Sequence, residues 1–169
     1  APGTAVKEAY DTSGIVTNDR GVTVWLKGNR VSRNQIMAIK EESVTEQKNS
    51  LAVCLDNILR HAGITRNTEY DLAQGKTATT ILSENMTGVQ VLDLSGCTLD
   101  AVLYYVNQDI PVLAILEDGE AVLVTGFNEF NVVIMEPATG KLYKKGMNDA
   151  TAWFAENGNH FITYMRIEN

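Results

Sequence analysis

The chain has 169 residues, 44% of them hydrophobic, and 14 Lys+Arg against 21 Asp+Glu give a formal net charge of −7. That length and apolar content suit one domain with a sizeable core. The acidic balance argues against a dedicated nucleic-acid binder, which carries a basic stripe, and no run approaches the roughly eighteen apolar residues of a membrane span. The 2 cysteines cannot by themselves build a disulfide scaffold or a structural zinc site. No P-loop, G-x-S-x-G, G-x-G-x-x-G or metal-spaced His/Cys cluster occurs, so no cofactor and no metal is expected. The start, Ala1-Pro2-Gly3, has neither Met nor a charged-then-apolar leader. It is expected to be a processed or cut end, with a larger parent protein.

In chain order, residues 1–43 read as a lead-in within the same domain, including a hairpin over 15–26. Asn18-Asp19-Arg20-Gly21 supplies its turn and Val22-Thr23-Val24-Trp25-Leu26 a β-rich run. The strongest helix begins near Ser50. Leu51, Cys54, Leu55, Ile58, Leu59 and Ala62 recur at helical spacing, Asn49 or Ser50 suits the N-cap, and Gly63 suits the C-terminal stop. A helix over 77–85, a strand over 88–94 and a helix over 99–107 capped by Thr98 follow. The second half changes character. Apolar runs at 111–116, 121–127 and 132–136 read as strands, 141–143 extends the pairing, Asp149 caps a helix over 150–156, and 161–165 closes as a strand. Helices first and an antiparallel meander afterwards predict an α+β domain. Lys141, Lys144 and Lys145 read as a solvated strand margin that discourages edge pairing, and most of the aromatic residues as core and groove lining.

The phrases Gly119-Glu120-Ala121-Val122-Leu123-Val124-Thr125-Gly126-Phe127 and Met135-Glu136-Pro137-Ala138-Thr139-Gly140, with the helical stretch from Thr98 to Gln108 before an apolar strand, carry a resemblance. Over residues 44–165 the chain resembles a papain-like cysteine peptidase domain of the bacteriocin-processing (double-glycine) type. The resemblance implies a papain-like fold over 44–169, with a buried helix and its companions packed on an antiparallel sheet. In that family a Cys opens the buried helix, a His follows the glycine of the first phrase, and an Asp precedes the proline of the second. Here those slots hold Ser50, Glu120 and Glu136, and the separation from Glu120 to Glu136 is 16 residues, as in the family. The slot of the family's oxyanion-hole Gln holds Val44, with Gln47 nearby but out of register.

A cysteine peptidase needs an imidazole to take the thiol proton and hold the thiolate. Loss of one core member of such a machine can cost on the order of a millionfold in rate. The expectation is therefore a catalytically inactive, peptidase-like domain of a bacterial envelope or secreted protein. It would bind a peptide or small ligand, or mediate assembly. Glu120 is expected to cap the amino end of the Ser50 helix, or to form with Glu136 an acidic pocket for a cationic ligand; Glu136 alone could also fix the turn after it. One alternative is an active peptidase using Cys54 with His160. His61 is excluded as its partner, because it lies seven residues along the same helix, about 10 Å of rise away. Others are an acid-active Ser50 served by Glu120 and Glu136, and a purely structural module. Cys54 and Cys97 could form a disulfide or remain free thiols, with Cys97 a second candidate reactive group beside the Thr98 cap.

Overall fold

The computed structural model describes residues 49–167 together with two short strands, β1 (Ile15–Thr17) and β2 (Thr23–Leu26). These two pair antiparallel, Ile15 opposite Leu26, as the hairpin expectation has it, and β2 runs alongside the fourth helix introduced below.

Helix α1 (Ser50–His61) owes its start to Asn49, whose Oδ1 accepts hydrogen bonds from the amides of Leu51 and Ala52 at 2.9 and 3.4 Å. These are two of the donors that no helix can satisfy internally. Cys54, Leu55, Ile58 and Leu59 are completely buried along its inner face. Gly63, at φ +85°, ends it in a conformation that a side chain would strain. Helix α2 (Thr68–Ala73) is too short for a sequence period and has no counterpart in the sequence reading. Its position is set by Asp56 of α1, whose buried carboxylate accepts from the Thr68 amide at 2.8 Å and from the Thr68 hydroxyl at 2.7 Å. Arg66 grips Asp71 through two guanidinium nitrogens at 3.1 and 3.0 Å. Helix α3 (Ala78–Asn85) starts at Thr77 and helix α4 (Leu99–Val106) at Thr98, each threonine oxygen accepting from an amide three residues on.

Six strands form one sheet in the order β3-β8-β4-β5-β6-β7, every neighbouring pair antiparallel. They are β3 (Val89–Asp93), β4 (Val112–Ile115), β5 (Ala121–Phe127), β6 (Asn131–Met135), β7 (Leu142–Gly146) and β8 (His160–Arg166). Every residue of β5 is buried, so both faces of the sheet are covered at this strand. At Thr125 the β5–β6 register slips by one residue, a bulge whose Thr125 hydroxyl reaches the Val133 carbonyl at 3.4 Å. Helix α5 (Met147–Glu156) packs Phe154 against Phe161 of β8, ring centroids 5.3 Å apart.

Two boundaries differ from the sequence reading. Strand β7 continues to Gly146, and α5 begins at Met147 rather than at Ala150. Asp149 is therefore a first-turn residue and not the cap. Strand runs directly into helix there, and the Met147 amide donates to the Phe130 carbonyl at 2.8 Å, so no capping side chain is needed. On the β7 margin, Lys145 lies over the Trp153 ring, 4.8 Å from its centroid.

Two outcomes test these contacts. Replacing Thr68 by Val leaves the Asp56 carboxylate short of a buried donor and should cost about 1–3 kcal/mol in urea unfolding. The Arg66 guanidinium, chiefly through its hydrogen bonds, holds the Asp71 carboxyl below its usual range. A depressed carboxylate contributes stability that is present above its unfolded pKa of about 4 and is lost as pH falls through the folded value. Asp71→Asn should flatten that part of the stability–pH curve below about pH 4.

Candidate functional site

The first residue of α1 meets the first residue of β5. The Ser50 Oγ accepts a hydrogen bond from the Ala121 amide at 2.9 Å, joining positions 71 residues apart in sequence. The turn before β5 prepares this meeting. Gly119 takes φ +85°, its amide donates to the Leu116 carbonyl at 3.0 Å, and the Glu120 amide donates to the Asp118 carboxylate at 2.9 Å. Glu120 is exposed, immediately beside the Ser50 contact. Its carboxylate accepts no hydrogen bond among the described residues. The Leu51 and Ala52 amides are held by Asn49, so the side-chain cap of α1 is Asn49 and not Glu120.

Met135 pairs with Leu123, so Glu136 emerges at the end of β6, level with the start of β5. Ser50, Glu120 and Glu136 thus share one end of the sheet. The Glu136 carboxylate is engaged in its own turn: Thr139 donates its hydroxyl to Oε2 at 3.4 Å, and the Gly140 amide donates to the Glu136 carbonyl at 2.8 Å. Nearby Tyr143 has its hydroxyl pKa raised, first by burial and then by the Glu136 charge. The oxyanion slot Val44, together with Gln47 and the side chain of Trp25, lies outside the described residues.

Cys54 stands one helical turn below Ser50 with no exposed surface, and burial pushes its thiol far above the ordinary range. Cys97 is also buried, and its thiol is raised by burial and then by the Asp93 charge. Both thiols are free, so the disulfide alternative does not hold. The potential of the α4 amino end does not activate Cys97, because burial and a neighbouring carboxylate act in the opposite direction. His160 begins β8, half-buried, opposite Ile115, which in turn faces Ala121. Two inter-strand steps, about 10 Å, therefore separate its backbone from the Ser50 contact. Among the described residues it makes no hydrogen bond to either sulfur.

The structure is similar to a crystal structure of a protein from Bacillus anthracis assigned as a C39-like peptidase. The TM-score is 0.64 at 12% sequence identity, over 79% of this chain and 98% of the other. No protein-family model and no curated protein matches the sequence. At that identity the likeness shows the fold alone: the chain has the α+β, papain-like fold of the C39-like peptidases. Among the described residues no helix is long and apolar enough to cross a membrane.

The Ser50 contact has a measurable consequence. Ser50→Ala leaves the Ala121 amide without its acceptor and should lower unfolding stability by about 1–2 kcal/mol. Native protein treated with iodoacetamide should show neither thiol alkylated until it is unfolded, as mass spectrometry would reveal.

Proposed function

We propose that the chain is a non-catalytic member of the papain-like architecture, a pseudopeptidase that binds a peptide in the region where the ancestral fold would cut one. The observation that carries this reading is the Ser50–Ala121 hydrogen bond. A nucleophile must be free to approach a carbonyl and must hand its proton to a base. The Ser50 oxygen instead accepts from a backbone amide and ties helix to strand. Glu120, exposed beside this contact, takes no hydrogen bond from the Ser50 hydroxyl among the described residues.

The same arrangement weighs against the competing chemistries. A Cys54 peptidase would need an accessible thiol within hydrogen-bond reach of an imidazole, and Cys54 is wholly enclosed. An acid-active Ser50 would need a carboxylate to receive its proton, and no carboxylate among the described residues hydrogen-bonds to its hydroxyl. Two carboxylates at one end of the sheet favour a basic peptide over an acidic one. Residence in a secreted or envelope-associated bacterial protein, in which such a domain recognises a leader or partner segment, fits this use; a purely structural module is the reading it competes with.

The test is thermal unfolding with a Lys-rich and a Glu-rich unstructured peptide, beside a fluorescent casein assay at pH 4 and pH 7. The basic peptide at a hundredfold excess over Kd should raise Tm by roughly 5–10 °C, and Glu120→Lys should abolish the shift. Casein should remain intact at both pH values. Turnover that disappears in Ser50→Ala or Cys54→Ala would refute inactivity, and no shift with either peptide would leave the structural module as the better account.

A further inference from the structure

The carboxyl end of α1 lies about 16 Å of helical rise from Ser50, and a cavity opens near it. His61 anchors this region. Its Nε2 meets the Asp109 carbonyl at 2.9 Å, and because a carbonyl only accepts, Nε2 carries the proton. Asp109 holds φ +63°, which turns the chain from α4 into β4. The cavity, about 500 Å³, lies between the end of α4, this turn and the end of β8. Its volume falls within the range of small-molecule sites.

The walls have two characters. Ile110, Met165, Ile167 and the half-buried Tyr104 supply apolar surface, and Ile167 is 48% exposed. Among the described residues, Arg166 is the single charged residue in the lining. Its Nη1 donates to the Gln108 carbonyl at 3.3 Å, which fixes the guanidinium at the mouth. No carboxylate among the described residues pairs with it, although acidic residues outnumber basic ones in the chain by 21 to 14. A positioned guanidinium with unused donors beside apolar walls matches the fork of a carboxylate carrying an apolar body. One cation in an acidic protein suits a monoanion and not a phosphate dianion.

We propose that this cavity is a binding site for an apolar monocarboxylate, with Arg166 holding the carboxylate and Ile110, Met165 and Ile167 the hydrocarbon. The same chemistry is offered by a free aliphatic acid and by the carboxy terminus of an apolar peptide. The site is independent of the Ser50 end, so its failure says nothing about the peptide reading above.

The experiment is NMR titration of methyl-labelled protein with octanoate and with N-acetyl-Leu-Leu, each beside its uncharged counterpart, octan-1-ol or the peptide amide. At least one acid should saturate the Met165 and Ile110 methyl shifts with Kd below roughly 1 mM. Arg166→Gln should weaken that acid about tenfold or more while leaving the uncharged counterpart unchanged. The tighter acid identifies the source of the carboxylate. Arg166 is exposed, so the variant should fold, and its dispersed methyl spectrum would confirm this. Equal affinity in native and Arg166→Gln protein, or no saturable shift at either methyl with either acid, would overturn the proposal.

Discussion

One hydrogen bond decides how the two halves of this protein meet. The Ser50 hydroxyl receives the Ala121 amide and thereby sets the amino end of α1 against the first residue of the fully buried strand β5. Below that contact, Cys54, Leu55, Ile58 and Leu59 occupy the centre of the core without solvent exposure. Burial of this kind supplies most of the stabilisation, since each enclosed aliphatic side chain contributes about 1.5–3 kcal/mol. The hydrogen bond contributes less energy but fixes the register of helix on strand.

The rest of the site follows from how little is left over. Asn49 takes the free amides of α1, Asp118 takes the Glu120 amide, and Thr139 takes the Glu136 carboxylate. At this end of the sheet, Glu120 projects a charge without a partner among the described residues. It retains a capacity for electrostatic recognition, which needs only charge and access.

Much of this architecture was legible in the sequence. The helical recurrence from Leu51 to Leu59 gave α1, the continuous apolar runs gave β4, β5 and β6, and the threonines at 77 and 98 marked two helix starts. Helix α2 was not legible by period, because six residues complete fewer than two turns; the visible signal was Asn67 followed by acidic residues at 69 and 71. The early start of α5 was hidden because a strand feeds it and no side chain announces it. The pairing of Ser50 with the start of β5 was readable only through the resemblance, since 71 intervening residues carry no local trace of it. Of the cap candidates the sequence offered, Asn49 was legible on local grounds, because an asparagine just before a helix needs no tertiary contact to accept its amides. The Arg166 cavity was beyond reach, since its walls come from two distant segments, 104–110 and 165–167.

The same 71-residue separation shapes how the chain comes into being. At roughly 5–20 residues per second, a ribosome releases α1 several seconds before β5 exists to cover it. During that interval Cys54, Leu55, Ile58 and Leu59 form a greasy ridge, and α2 and α3 are the first of its described neighbours to follow it. Asp56 and Thr68 stand only 12 residues apart, so their hydrogen bond needs no strand of the six-stranded sheet. It gives the young helix a local companion while the strands that will enclose it are still being synthesised.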